Sequence, residues 1–463
     1  MAWGLKTKLG LGLLATYTSF EIYMQLRTQY VIYHRRQQAI AAAAAASSND
    51  DDADVARFRS VNISGMFVNP FQEYRPQTAF EFMVVRFMEW LESIYGVTVA
   101  LHQPLAKPHD GACDVEDVLK RFKPSMDQYR HNSRILSQCL ASGDFTPYTE
   151  PGTPQPWWQQ LRDGDNVPIT SLPPVRDQVL FTWLGQSCGL LQVSGINFLT
   201  DPQLGDHLMS TKFGPQRLTK TPMQLGDIRY ATDDNLNFVL VSHDHPDHLE
   251  MALIPQLGNQ ATWIVPLGFK KKLARRGVHN VVEMDWWDTV DLNPLLHPSA
   301  NVNGDRYELV CVPAMHWSGR YVVDSNTTLW CSYIVRKNGE SIAYHAGDTG
   351  YCRDLFAAIG ARYGPTLLSL LPIGQYCPSW HQKPRHISPE EALKLCDHLQ
   401  TKYMKGVHWG TFKLSGESIL EPKETLAALA AAAGTGDRYR TPEFGLTYMY
   451  DLGSGAETEL YRV

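Results

Sequence analysis

The eight cysteines of this 463-residue chain include no CxxC pair, so neither a zinc ribbon nor a thioredoxin-type redox site is expected. They stand far apart and read as buried thiols of a reducing compartment. A basic excess is missing as well. Lys and Arg number 42 against 48 Asp and Glu, a net charge of −6, which argues against a protein wrapped in nucleic acid. No uninterrupted apolar run reaches the roughly 20 residues that span a bilayer, and no internal repeat is visible. Apolar residues make up 44% and charged residues 19%, which excludes collagen-like, coiled-coil and wholly disordered chains.

The first 57 residues differ from the rest. Met1 to Asn49 holds Lys6, Lys8, Arg27, Arg35 and Arg36 against a single acid, Glu21. The apolar stretch Leu9 to Phe20 lies behind the two lysines and reaches bilayer length only by accepting Glu21 and Gln25. This pattern fits a mitochondrial targeting segment or a membrane anchor, with a disordered leader as the third reading. Alanines 41–46 and the run Asp50 to Asp52 read as a disordered linker. Residues 58–174 form a mixed extension. Within it Phe80, Met83, Val84, Phe87, Trp90, Leu91 and Ile94 recur at helical spacing and predict a core-facing helix.

From residue 175 short apolar runs alternate with polar loops. Strands are predicted at 179–183, 190–193, 197–200, 238–242, 262–266, 309–313, 329–335, 341–345 and 367–372. Ser388-Pro-Glu-Glu391 is a capping box with proline at the first helical position. Many strands with interspersed helices predict a layered α/β domain.

The chemistry is concentrated in His243-Asp-His-Pro-Asp-His248, directly behind the 238–242 strand. Neutral imidazoles and carboxylates at this density suit zinc and related divalent ions. Further candidates each follow an apolar run: His316, Asp348 and His408. Seven candidate ligands exceed one tetrahedral site, so two ions per chain are expected. Ser187 and Cys188 are structural on this reading, since metal chemistry needs no serine or cysteine nucleophile.

The ordered set H-x-H-x-D-H, His, Asp, His resembles the binuclear zinc hydrolases of the metallo-β-lactamase superfamily. Several blocks resemble one branch of it more closely, the N-acyl-phosphatidylethanolamine-hydrolysing phospholipase D family. These are Thr182-Trp-Leu-Gly185, Phe198-Leu-Thr-Asp-Pro202, Gly214-Pro-Gln-Arg217, Asp285-Trp-Trp287, Ala346-Gly-Asp-Thr-Gly-Tyr-Cys352, Pro372-Ile-Gly374, Ser388-Pro-Glu-Glu-Ala392 and His408-Trp-Gly-Thr-Phe412. The likeness covers roughly residues 175–425, and Phe67-Val-Asn-Pro-Phe71 extends it into the N-terminal segment.

The resemblance implies an α/β fold, the metallo-β-lactamase-type αββα sandwich, over 175–463. It puts His243, His245 and His316 on one Zn2+ and Asp247, His248 and His408 on a second, with Asp348 bridging. Asp201 would support the ligand loop. His386 matches a histidine that contacts lipid, and Pro246 stands where better-known members have a substrate-touching tyrosine. Gln186 replaces a histidine after Trp-Leu-Gly.

The implied reaction converts N-acylphosphatidylethanolamine to N-acylethanolamine and phosphatidic acid. Two close cations would polarise the phosphodiester, and Asp247 or Asp348 would take or orient the proton of the attacking water. The expected partners are a phospholipid substrate, a membrane surface and a second copy in a homodimer, with no nucleic acid. The expected location is intracellular and membrane-associated, mitochondrial or another endomembrane. The alternatives are a superfamily hydrolase acting on a different phosphodiester, a lactone or a thioester, and a non-catalytic scaffold, which has no need of seven ligands.

Overall fold

The computed structural model describes residues 4–45, 51–76, 124–142, 173–209, 214–296, 304–321 and 324–460, with isolated positions between 81 and 91. Strands β1 (Val61–Ile63) and β2 (Met66–Val68) form a hairpin. The chain then builds β3 (Gln178–Gly185), β4 (Cys188–Val193), β5 (Ile196–Thr200), β6 (Phe238–Leu240), β7 (Thr262–Pro266) and β8 (Val281–Met284). A second sheet follows: β9 (Thr289–Asp291), β10 (Tyr307–Val312), β11 (Ser332–Lys337), β12 (Glu340–His345), β13 (Thr366–Pro372), β14 (Tyr403–Val407) and β15 (Tyr439–Arg440). Finally β16 (Thr447–Asp451) and β17 (Glu457–Leu460) return to the first sheet. The first sheet has eight strands in the order β17-β16-β3-β4-β5-β6-β7-β8, and the second has seven, β15-β14-β13-β12-β11-β10-β9.

The period-two alternation of a strand explains the layering. On β3 Val179, Phe181 and Trp183 enter the core shared with the second sheet, while Leu180 and Leu184 join a separate outer cluster. Phe198 against Leu199, Leu240 against Val239, and Ile264 against Trp263 repeat that division on β5, β6 and β7. Strands apolar on both faces must be covered on both. Helix α3 (Met126–Ser142) supplies Tyr129, and α4 (Leu225–Ala231) supplies Ile228, to cover the outside of the first sheet. Helices α5 (Arg353–Tyr363), α6 (Pro389–His398) and α7 (Glu421–Ala432) bring Phe356, Leu395 and Leu426 into the core of the second. The result is the expected αββα sandwich. Ser388 Oγ accepts from Glu391 N at 3.3 Å and Glu391 Oε2 from Ser388 N at 3.2 Å, so the expected capping box opens α6.

The N-terminal segment departs from the sequence expectation. Helix α1 (Leu5–Ala45) runs for 41 residues, and α2 (Asp51–Arg57) is a second helix. The alanines expected as linker continue the first helix through Ala45, because alanine is the best helix former. Met24 of α1 packs with Val61 and Ile63 of the hairpin, and Val31 lies against the same cluster. Among the described residues no helix is long and apolar enough to cross a membrane. Phe67 and Phe71 lie in the main core, with Phe71 between Phe58 and Trp286 at 5.9 and 5.8 Å.

Described positions between 81 and 91 are helical, as expected, but the buried face is not the expected one. Glu81 and Val85 are buried, while Met83 and Phe87 are 61% and 56% exposed. The i, i+4 pair faces inward because Glu81 meets His381 and Arg75 there. Phe80, Trp90 and Ile94 lie outside the described residues.

The six cysteines whose side chains are described, Cys188, Cys311, Cys331, Cys352, Cys377 and Cys396, are free and buried, as the sequence predicts.

The fold rests on the seam between the sheets, where Phe198 and Phe238 stack at 5.2 Å. Phe198→Ala is expected to destabilise the chain by about 3–5 kcal/mol. The midpoint of urea unfolding measures it, and a change below about 1 kcal/mol would contradict the assigned packing.

Candidate metal centre

Every candidate ligand sits just past the C-terminal end of a strand. His243, His245, Asp247 and His248 follow β6, His316 follows β10, Asp348 follows β12 and His408 follows β14. Strands β5 to β8 are parallel, as are β12 to β15, so their loops leave from common edges. Strand β10 runs with β12 because both are antiparallel to β11. The two edges touch at Gly347. Its φ is +59°, and a Cβ there would lie 2.5 Å from Ser242 Cβ, so a bulkier residue would push the ligand loops apart.

The seven residues form two groups that share Asp348: His243, His245, His316 and Asp348, and Asp247, His248, Asp348 and His408. Within each group the donor atoms lie within 4.8 Å of one another, and all are buried. In the first, His243 Nε2 and His316 Nε2 stand 2.7 and 3.2 Å from His245 Nδ1. In the second, His248 Nε2 and His408 Nε2 are 3.2 Å apart, and they lie 3.1 and 3.0 Å from the two oxygens of Asp348. Imidazole nitrogens about 2.0–2.1 Å from a tetrahedral ion stand roughly 3.3 Å from one another. The observed spacing therefore fits a divalent cation in each group.

The electrostatics divide in the same way. Burial holds His243, His245 and His316 below the ordinary imidazole range, His316 at about 4, so these three are neutral donors. Burial also opposes charge on His248 and His408, but Asp348 and Asp247 outweigh it. His248 is raised well above its usual value, with Asp201 helping, and His408 is raised to about 9. Burial likewise opposes ionisation of Asp247 and Asp348, yet neighbouring imidazoles keep both well below the usual carboxylate range. Protons on His248 and His408 thus occupy positions that a cation would take, and binding one would release them.

A ring of partners aims the ligands. Asp201, at φ +39°, accepts from Ser242 N at 2.7 Å and Ser242 Oγ at 2.8 Å. Its Oδ2 also lies 2.8 Å from His248 Nδ1 and 2.9 Å from His345 Nε2. With its Nδ1 proton committed to Asp201, His248 presents Nε2 to the site. These histidines hold Asp201 at about 2 against its burial. The Arg385 carbonyl lies 2.9 Å from His316 Nδ1 and fixes that ring likewise. Asn69, in the Phe67-Val-Asn-Pro-Phe71 block, donates to the His316 carbonyl at 2.6 Å.

The remaining sequence candidates separate. His386 is buried in the cluster, its Nδ1 3.7 Å from Asp348 Oδ2. Pro246 is half-buried between the ligands. Arg385, the neighbour of His386 in sequence, turns inward. It donates to the His381 carbonyl and lies 3.8 Å from Glu81, because a buried guanidinium needs a countercharge. Gln186, noted only as a departure from the family, touches the centre: its Nε2 donates to Asp247 Oδ2 at 2.9 Å and lies 2.9 Å from His408 Nε2. His345 had no signal as an isolated polar residue, and Asn69 had none beyond its place in the Phe67-Val-Asn-Pro-Phe71 block.

A family model described as a beta-lactamase superfamily domain matches residues 197–409, and with the αββα sandwich it makes this a metal-dependent hydrolase of the metallo-β-lactamase fold. The mitochondrial N-acyl-phosphatidylethanolamine-hydrolyzing phospholipase D of Saccharomyces cerevisiae is 36% identical over 452 residues, covering 95% of this chain and 87% of that protein. N-acyl-phosphatidylethanolamine-hydrolyzing phospholipase D 1 of Caenorhabditis elegans is 35% identical over 261 residues, 54% of this chain and 69% of that protein. Among solved structures, a metallo hydrolase from the archaeon Ignicoccus hospitalis aligns at 22% identity and TM-score 0.45 over 59% of this chain and 99% of its own. The chain belongs to the N-acyl-phosphatidylethanolamine-hydrolysing phospholipase D family.

Asp201→Asn should weaken metal affinity by about 10–100-fold, because an amide cannot hold His248 and the Ser242 loop as a carboxylate does. Competition with a chelator, with circular dichroism to verify the fold, measures this. Unchanged affinity would remove Asp201 from the assigned role.

Proposed function

We propose that this chain is a two-zinc phospholipase D that hydrolyses N-acylphosphatidylethanolamine to N-acylethanolamine and phosphatidic acid. The observation that carries this reading is the pair of buried four-residue groups meeting at Asp348, in a chain whose yeast relative is named for this hydrolysis. His243, His245 and His316 would hold one ion, Asp247, His248 and His408 the other, and Asp348 would serve both. Imidazole and carboxylate donors favour zinc over the harder cations. Divalent ions bound there supply polarisation of phosphoryl oxygens and a source of hydroxide near neutral pH.

The protein groups do the rest. Asp247 and Asp348, ionised beside the imidazoles, orient the attacking water and take its proton. The buried walls exclude bulk water and strengthen every charge interaction inside. His386, 5.1 Å from the His316 ring and 5.7 Å from that of His408, contacts the headgroup, and Pro246 contacts substrate at the rim. Water's oxygen joins phosphorus, the bond to the ethanolamine oxygen breaks, and that oxygen leaves with a proton as the alcohol.

The same reading includes a membrane surface as partner, a homodimer, and a mitochondrial or other endomembrane location. The exposed Leu5, Leu9, Leu13 and Leu14 beside Lys6 and Lys8 on α1 support lipid contact, since apolar residues with cations bind anionic interfaces. The yeast relative's name places that protein in mitochondria.

Purified protein mixed with phospholipid vesicles should release N-acylethanolamine and phosphatidic acid, read by mass spectrometry of the lipids. Asp348→Asn should lower the rate by at least about a hundredfold with the fold intact. Release of other products only would favour a different hydrolase, and near-normal turnover by the variant would overturn the bridging role. Removing residues 1–50 should move part of the chain from the membrane to the soluble fraction on cell fractionation. An unchanged distribution would separate α1 from membrane attachment.

A further inference from the structure

The hairpin turn between β3 and β4 carries a side chain where glycine would serve the turn better. Gly185 pairs with Cys188, so Gln186 and Ser187 alone link the two strands. Gln186 stands at φ +51°, a conformation unfavourable for any residue with a Cβ. Its backbone is secured there by three bonds. Gln186 N donates to Thr411 Oγ1 at 2.7 Å, and the Gln186 carbonyl accepts from Trp183 Nε1 at 2.7 Å and from His408 N at 3.0 Å. Thr411 and His408 belong to the loop after β14. The turn and that ligand loop are therefore fastened to each other.

The buried Gln186 amide reaches ligands of one group only. Its Nε2 donates to Asp247 Oδ2 at 2.9 Å and lies 2.9 Å from His408 Nε2. That Asp247 oxygen is the one facing the imidazoles, 3.6 Å from His248 Nε2 and 3.3 Å from His408 Nε2. Opposite an ionised carboxylate the amide must present its NH2 and not its carbonyl. A ligating carboxylate held by such a bond cannot swing freely, and bonds of this kind raise metal affinity. The other group is aimed from elsewhere. Ser242 Oγ stands 2.9 Å from His243 Nδ1, and the Arg385 carbonyl fixes His316.

We propose that Gln186 is a positioning residue for the ion of Asp247, His248 and His408, and that it sets the affinity of this ion separately from that of the other. This rests on the two-ion reading above. The amide fixes Asp247 and the backbone carbonyl fixes His408, two of the three ligands that this ion does not share. Strain of the kind accepted at Gln186 gathers at functional sites, where the surrounding structure holds it in place. Loss of the amide should loosen one ion. The other keeps its three imidazoles and Asp348.

The test uses the full chain loaded with zinc and exposed to rising chelator, with bound zinc counted by elemental analysis. Gln186→Met keeps the length of the side chain and removes its donor. One of the two release steps should move to about 10–100-fold lower chelator, and the other should stay where it was. Anomalous diffraction at the zinc edge, from variant crystals equilibrated across the moved step, should show the peak beside Asp247, His248 and His408 fall while the other holds. Thr411→Val frees the Gln186 backbone and leaves the amide in place. It should show the same selective loss, by about tenfold, and decides the matter if the methionine variant does not fold. Unmoved steps, equal movement of both, or movement of the step belonging to His243, His245 and His316 would overturn the role of Gln186 and leave the two-ion reading standing. An unaltered chain that holds fewer than two zincs would overturn that reading, and the positioning role with it.

Discussion

A single buried carboxylate governs the design of this molecule. Asp348 is 2% exposed, and five imidazoles, His243, His248, His316, His386 and His408, present nitrogens within 3.9 Å of its oxygens. An anion so deeply buried is tolerable only with cations around it. Those imidazoles arrive from both sheets, so their convergence is possible only when the sheets pack face to face with their strand ends level. The apolar seam through Phe198, Phe238 and Leu309 does that. Close backbone contact at Gly347 and Ser242 then brings the two ligand loops together.

The surrounding polar groups turn this arrangement into a rigid one. Asp201 spans the first sheet and His345 of the second, while the Arg385 carbonyl and Asn69 hold His316 from the other side. Arg385 is fastened in turn through His381 to Glu81 of the N-terminal extension. The extension is therefore continuous with the site, not an appendage. Rigid support of this kind is what lets a metal site keep its geometry when the substrate is large and flexible.

Much of this was legible in the chain itself, and the exceptions have physical reasons. The ligands were readable because each stands behind an apolar strand, and nine strands were located by runs such as Phe238-Val-Leu and Thr262-Trp-Ile-Val-Pro266. Strand β14 was missed because Lys405 interrupts it. Its amine is fully buried, 2.8 Å from Glu457 on β17 of the other sheet and 3.9 Å from the Tyr448 ring. Burial lowers that lysine to about 8, and a pairing made across the sandwich leaves no local trace. Gln186 and Asn69 escaped for the same reason: each acts through a neighbour more than 60 residues away in sequence. Among the described helical positions between 81 and 91, the inward face differs from the expected one because a charged residue, Glu81, holds a buried position.

On the function proposed, Asp348 would join two metal ions where the sheets meet. Anomalous diffraction at the zinc absorption edge, from crystals grown without chelators, tests it most directly. The account predicts two peaks of comparable height flanking the Asp348 carboxylate, about 3.5–4 Å apart, one beside His243, His245 and His316 and the other beside Asp247, His248 and His408. A single peak in fully active protein, or two peaks that do not share Asp348, would contradict it.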